Sequence, residues 1–231
     1  MLDISKIKAI TLDLDDTLWP IWPTIARAEI ALNTWLVQHA PRAAALVVNP
    51  ASRLALRDQV VLMRPDLAHD MSSVRRELIR LALVQSSEAA HLADPAFEVF
   101  LEHRMKVELF TDALPALVFL AQRYPVVAVS NGNADVHRVG IGAHFHASVS
   151  AHELGVAKPD VRMFEAAAAA AQVLPHEVLH VGDDAALDVL GALKAGMQTV
   201  WVNRDNHSWA HAEVPHVTVT ELGALCRLLG A

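Results

Sequence analysis

Residues 7–17 read IKAITLDLDDT, an apolar, β-branched run that breaks off in a cluster of carboxylates. Residues 7–14 predict a strand, and the acids mark its carboxyl end. The same device recurs further on: PVVAVSN ends at residue 131, VLHVGDD at residue 184 and TVWVN at residue 203. Strands buried on both faces read as continuous apolar runs, and these do. Between them lie helical stretches over 112–123, 161–173 (VRMFEAAAAAAQV) and 185–195, with a last helix from Thr220. Alternation of strand and helix predicts an α/β, Rossmann-like parallel sheet with helices on both faces. The Ala166–Ala171 run is a helix former whose small side chains let a helix lie close to a sheet.

From about residue 21 to 105 the texture is helical throughout. Ile25, Ile30, Ala31, Leu32 and Leu36 recur near a helical period, and Val74, Leu78, Leu81 and Leu83 do so again. Pro23, Pro41, Pro50, Pro65 and Pro95 punctuate the region into roughly four helices. The expected organisation is an α/β core domain over 1–17 and 106–231, interrupted by a helical cap domain over 18–105. Ligands of such sheets bind outside the carboxyl ends of the strands, where each acidic cluster falls.

Composition narrows the function classes. The 231 residues are 53% apolar and 19% charged, as in a globular domain with a substantial core. A net charge of -7 repels nucleic acid and anionic membrane at long range, yet local donors and one metal ion suffice to bind a small phosphate ester. The single cysteine, Cys226, forms no internal disulfide, which fits a reducing cytoplasm. The N-terminal residues carry acids at positions 3, 13 and 15, so they lack a signal peptide's apolar region, and no charge-free run of 18 apolar residues predicts a membrane span.

Four constellations carry chemistry. Asp13 and Asp15 are separated by one residue at a strand end, where side chains alternate with period two, so both can face one site. One would attack phosphorus, and the other would donate a proton to the departing alcohol and later take one from water. Ser130-Asn131-Gly132-Asn133 offers a hydroxyl and backbone N–H groups for phosphoryl oxygens. Lys158, before Pro159 and the alanine-rich helix, has an ammonium suited to neutralising nucleophile and phosphate. Gly182-Asp183-Asp184, with Asp188 one turn on, gathers oxygen ligands of the kind magnesium takes. Asp183 would bind the ion, while Asp188 more naturally holds its water or Lys158. Each stretch also has a structural account of its own: an acidic loop, a turn, a solvated lysine, a capped helix.

The motifs DLDDT, SNGN, KPD and VGDDAALD, in that order with a helical insert after the first, resemble the haloacid dehalogenase superfamily across essentially the whole chain. The resemblance implies Asp13 as nucleophile and magnesium ligand, and Asp15 as acid and base that also meets the metal through its backbone carbonyl. It implies Ser130 and Asn131 as the phosphate cradle, Lys158 as the neutralising cation and Asp183 as the remaining side-chain ligand. Thr17, Asp184 and Asp188 stand around these. The insert is similar to a mobile cap that closes over substrate and excludes water. The wording LDLDDTLW, VSNGNAD and HVGDDAALDVLGALKAGMQTVWVN looks like bacterial phosphatases acting on flavin mononucleotide and on the phosphorylated ribitylaminouracil precursor of riboflavin. The expected activity is magnesium-dependent hydrolysis of a small phosphorylated metabolite through an aspartyl-phosphate. A phosphomutase, a dehalogenase and an idle metabolite-binding relative are the alternatives. Dehalogenases of this superfamily lack an acid at the place of Asp15.

Three other features stand apart from these motifs. His144 and His146 could face one way from a strand. Trp19 and Trp22 follow the acidic loop, where a ring either stacks on a planar substrate or packs at a hinge. Arg75, Arg76 and Arg80 share a helix and present either an anion-binding or a solvated face.

Overall fold

Strand β1 (Ala9–Leu12) is buried along its whole length and pairs in parallel with two neighbours, β2 (Val126–Ser130) and β4 (Val178–Gly182). Burial on both sides is what its unbroken apolar run requires. Three further parallel strands, β3 (Ala147–Ser150), β5 (Gln198–Val202) and β6 (Val217–Val219), complete the order β3-β2-β1-β4-β5-β6. The chain walks outward in one direction from β1 to β3 and then crosses to β4 and walks the other way. The reversal leaves a crevice at the carboxyl ends of β1 and β4, where α/β sheets bind ligands.

The computed structural model describes all 231 residues, and the chain divides into two compact units, residues 1–20 with 108–231 and residues 21–107. The second unit is all helical: α1 (Ile21–His39), α2 (Pro41–Val48), α3 (Pro50–Met63), α4 (Met71–Gln85) and α5 (Ala93–Arg104). Five helices stand where proline spacing predicts about four. Pro41 and Pro50 each occupy the first helical turn, so a proline here opens a helix and does not merely end one. Asn49 and Asp70 cap α3 and α4 by accepting from the amides of Ser52 and Ser73, at 3.0 Å each. Leu32, Leu36, Leu78, Ile79, Phe97 and Phe100 form this unit's own core.

In the first unit the helices are α6 (Ala113–Ala121), α7 (Val136–Val139), α8 (Ala151–Leu154), α9 (Val161–Ala170), α10 (Gly191–Lys194) and α11 (Leu222–Leu228). Residues Ala185–Leu190 form a wide π-helical turn ahead of α10. Helix α9 begins at Val161, two residues later than Pro159, because the Asp160 carboxylate caps it through the Arg162 amide at 3.0 Å. Met163, Phe164, Ala167 and Ala168 recur every three or four residues, and all are buried against Ala9, Val127 and Val178 of the sheet. Burying a side chain the size of Phe164 contributes about 1.5–3 kcal/mol.

The edge strands β3 and β6 have no counterpart in the predicted set of four. ASVS and VTV are short and partly exposed, so neither shows the continuous apolar run of a central strand. The expectation that His144 and His146 lie on a strand is also corrected: Gly142–His144 is a 3-10 turn ahead of β3. In the helical unit, Arg75 pairs with Glu29 at 2.5 Å and covers the Phe100 ring, Arg76 covers Phe97, and Arg80 pairs with Glu77. These arginines are engaged inside their own unit and do not form a merely solvated face.

Candidate active site

Alternation along β1 sends Ala9 and Thr11 toward α9, and Asp13, two residues beyond Thr11, follows them as the chain leaves the sheet. Parallel pairing with β4 sets Thr11 beside His180, so the next pair outward on the same face is Asp13 and Gly182. Lys158, just before α9, reaches this face from the neighbouring connection. Its ammonium donates to Asp13 Oδ1 and to Asp188 Oδ1, the latter at 2.6 Å. All three side chains are almost fully removed from solvent: Lys158 is 5% exposed, Asp13 7% and Asp188 1%.

Asp188 reaches the strand end because residue 182 is glycine. A Cβ at Gly182 would overlap the Asp188 carboxylate. The other Asp188 contacts come from His180 Nε2 at 3.2 Å and from the Asp184 amide at 3.0 Å to Oδ2. A carboxylate only accepts, so the His180 proton is on Nε2, and Nδ1 receives the Thr11 hydroxyl at 2.9 Å. A chain of buried groups thus runs from Thr11 through His180 and Asp188 to Lys158 and Asp13. Asp183 stands beside it, its Oδ1 accepting from the Thr17 hydroxyl at 3.1 Å and its carbonyl from the Trp201 indole at 2.7 Å.

Three carboxylates crowd round one ammonium here, and their proton affinities follow. Burial pushes the Asp13 carboxyl well above its ordinary 3.8, with the Lys158 charge pulling down and Asp188 and Asp183 adding to the rise. Burial and then the Asp188 charge push Asp183 up to about 7. Burial works against the Lys158 charge too, but Asp13 and Asp188 outweigh it and keep the amine protonated. For Asp188 burial is again unfavourable, and the Lys158 ammonium and the His180 N–H more than offset it, leaving that carboxyl well below the usual range. Burial holds His180 below its ordinary 6.5.

The raised Asp183 value carries a stability consequence. Between about pH 4 and 7 the folded metal-free chain retains a proton that the unfolded chain releases, so stability falls as pH rises through that window and levels off above it. A tenfold difference in proton affinity between the two states is worth about 1.4 kcal/mol, so on the order of 2–4 kcal/mol is at stake. The Asp183→Asn variant should show a shallower slope, with Asp13 accounting for what remains, and magnesium should raise the melting temperature more at pH 8 than at pH 5. Thermal unfolding across pH, with and without the ion, checks both; a magnesium gain equal at the two pH values would contradict the account.

Asp13, Asp15, Ser130, Asn131, Lys158, Asp183, Asp184 and Asp188, all singled out in the sequence, line one cleft of about 170 Å³ within the first unit, and Thr17 touches Asp183 beneath it. Asn131 is engaged differently from a simple cradle. Its side chain clasps the Lys158 backbone, donating to the carbonyl at 2.9 Å and accepting from the amide at 2.7 Å. Ser130 Oγ accepts from the Gly132 amide at 2.9 Å, which folds the turn over the cleft. Asp184 Oδ1 caps the helical turn through the Ala186 and Leu187 amides, both at 2.8 Å. Sequence reasoning misses His180, Thr11 and Trp201 as parts of the site. Only His180 leaves a sign there: a polar residue inside the apolar run VLHVG must find a buried partner.

The donor set suits a hard divalent cation. Ligand atoms of Asp13, Asp183 and Asp188 lie within 4.8 Å of one another, and their formal charge exceeds that of Lys158 by two. Asp188 is the least suited of the three, since both its oxygens accept hydrogen bonds from Lys158, His180 and the Asp184 amide. Asp13 and Asp183 supply the carboxylate oxygens that magnesium favours.

Residues 7–196 match the family model described as haloacid dehalogenase-like hydrolase. The chain is 32% identical to 5-amino-6-(5-phospho-D-ribitylamino)uracil phosphatase YigB of Escherichia coli (strain K12), covering 98% of each chain. It is 34% identical to a phosphoserine phosphatase of Thermus thermophilus over 136 residues, 56% of this chain and 55% of that one. Among solved structures, one described as a 2-haloacid dehalogenase from Pseudomonas syringae pv. Tomato DC3000 superposes with a TM-score of 0.91 at 35% identity, covering 96% of this chain and 98% of that chain.

Proposed function

The chain belongs to the haloacid dehalogenase-like hydrolases, and from that premise we propose that it is a phosphatase that hydrolyses a small phosphorylated metabolite through an aspartyl-phosphate on Asp13. The observation that carries this reading is Asp15, which lines the same cleft as Asp13 and Lys158. Phosphoryl transfer needs a proton donor at the leaving oxygen, and carbon–halogen cleavage does not, because halide leaves without a proton. The presence of that acid favours phosphate-ester chemistry over the dehalogenase described for the structural relative.

An oxygen of Asp13 attacks phosphorus while Asp15 gives its proton to the departing alcohol. Asp15 then takes a proton from water as that water attacks the aspartyl-phosphate, releasing phosphate and restoring both carboxyl groups. Lys158 holds Asp13 in one rotamer and offsets its charge as the anionic ester arrives. Asn131 fixes the Lys158 backbone, and Asp188, held by His180, fixes the ammonium. The Ser130 hydroxyl, whose oxygen accepts from the Gly132 amide, and the Asn131 backbone amide would donate to phosphoryl oxygens. Asp13, Asp183 and the Asp15 carbonyl would hold magnesium, which would supply positive charge against the repulsion between nucleophile and ester.

For the substrate, full-length identity to the ribitylaminouracil phosphatase supports a ribityl phosphate, either that precursor or flavin mononucleotide. Phosphate release over a panel containing both, with phosphoserine, sugar phosphates and nucleotides, tests the choice, and halide release from 2-chloropropionate tests the dehalogenase reading. The expected result is the highest kcat/KM on a ribityl phosphate and no halide release. Ribityl phosphates among the poorest of the panel would sink the substrate assignment, and halide release at a rate comparable to phosphate release would sink the reaction class.

A further inference from the structure

Trp19 is fully buried, and its indole N–H donates to Asp15 Oδ1 at 2.7 Å. The five residues from Asp15 to Trp19 form a closed turn. Asp15 and Trp19 pair as an isolated parallel bridge, the Asp16 amide donates to the Trp19 carbonyl at 2.7 Å, and the Leu18 amide donates to the Leu14 carbonyl at 2.8 Å. Asp16 takes a left-handed backbone conformation at φ 58, one that aspartate tolerates better than most residues. The Phe110 amide ties the turn to the body of the unit through the Leu18 carbonyl at 2.9 Å. The tryptophan is therefore not loose packing near a hinge. It is folded back onto the carboxylate by the backbone itself.

Resting on the phosphatase reading above, the geometry points to Trp19 as a positioning residue that holds the Asp15 carboxyl in the orientation from which its proton is handed to the leaving alcohol. A carboxyl group on a loop has two equivalent oxygens and a free rotation between them. An indole N–H can only donate, so the oxygen it meets is held as an acceptor and the carboxyl no longer turns freely. As the bond from Asp13 to phosphorus forms, the ester P–O bond breaks and its electron pair passes to the alcohol oxygen, which takes the Asp15 proton. In the second half a water proton passes to the Asp15 carboxylate as the water oxygen bonds phosphorus and the bond to Asp13 breaks. Trp19 touches none of the reacting atoms; its influence passes through Asp15.

A role through the acid has a signature that a packing role lacks, because it depends on how much the leaving group needs a proton. An alkyl alcohol needs one, whereas p-nitrophenolate leaves without it. The test compares kcat/KM of wild type and Trp19→Phe on flavin mononucleotide and ribose 5-phosphate against p-nitrophenyl phosphate. That parameter covers only the steps up to loss of the alcohol. The expected loss is about tenfold to a hundredfold on the alkyl esters and within about threefold on the aryl ester, since one positioning hydrogen bond is removed. Benzothienylalanine at position 19 keeps the bicyclic ring and lacks the N–H, so it reports the same contrast if the smaller phenylalanine unfolds the chain. Equal losses on both ester types, or none on the alkyl esters, would overturn the assignment. Wild type releasing phosphate from none of the three esters would instead sink the phosphatase reading on which it rests.

Discussion

Asp13→Asn is expected to abolish phosphate release, lowering turnover by about 10⁴-fold or more, while leaving the metal-free protein at least as stable as wild type. The two halves have one cause. Asp13 is a buried carboxyl whose surroundings disfavour its charge, by burial first and then by Asp188 and Asp183, with Lys158 as its compensation. That unfavourable placement keeps a carboxylate aimed into the cleft as a nucleophile, and an amide of the same shape removes both the nucleophile and the electrostatic strain. The amide oxygen can still accept from Lys158, whose second partner, Asp188, is untouched. Phosphate release together with thermal unfolding in the absence of metal checks the pair. Residual turnover within a hundredfold of wild type, or a beryllium fluoride adduct formed on a residue other than Asp13, would refute the nucleophile assignment.

Lys158→Met has the opposite balance: a loss of activity of about 10³-fold accompanied by a loss of stability of about 3–5 kcal/mol near neutral pH. Removing the ammonium leaves Asp13 and Asp188 buried together with no cation between them. The sign of the pH dependence follows from the two shifts. Asp188, depressed below its ordinary 3.8 with Lys158 as the main favourable cause, contributes stability that is present above that value and is lost as pH falls through its folded value. Lys158, raised above its ordinary 10.5, contributes stability that is fully present below 10.5 and is lost as pH rises through its folded value. The gap between wild type and variant should therefore be widest between about pH 4 and 10 and should narrow in acid. Chemical denaturation at pH 3, 7 and 9 measures it; a gap independent of pH would mean that Lys158 acts through packing of its alkyl stem alone.

Both outcomes concern groups that are visible in the sequence, and their legibility has a local origin. DLDDT, SNGN and GDD each follow a continuous apolar run, so the strand that positions them is read from the same few residues that carry the chemistry. The central strands are legible because burial on both faces calls for apolar side chains at most positions. Edge strands β3 and β6 are not, since a half-exposed strand of three or four residues is under no such constraint. The five helices of the second unit are legible in type and not in number, because a proline at a first helical turn looks in sequence like a proline that ends one.

The partners inside the site belong to a different level. Lys158 and Asp13 are 145 residues apart, Thr11 and His180 169, and Thr17 and Asp183 166. Which of them meet is set by strand order and register, and a register shift of one residue would turn Thr11 away from His180 and Asp13 away from Lys158. Local sequence alone determined that acids, a hydroxyl turn and a lysine stand at the ends of sheet strands and at the head of a helix. Only the folded chain decided that Asp188, itself held by His180, holds the lysine, that Asn131 clasps its backbone, and that an indole N–H meets one oxygen of Asp15. Propensity and periodicity act over a few residues, whereas a hydrogen bond in a closed site depends on where distant segments come to rest.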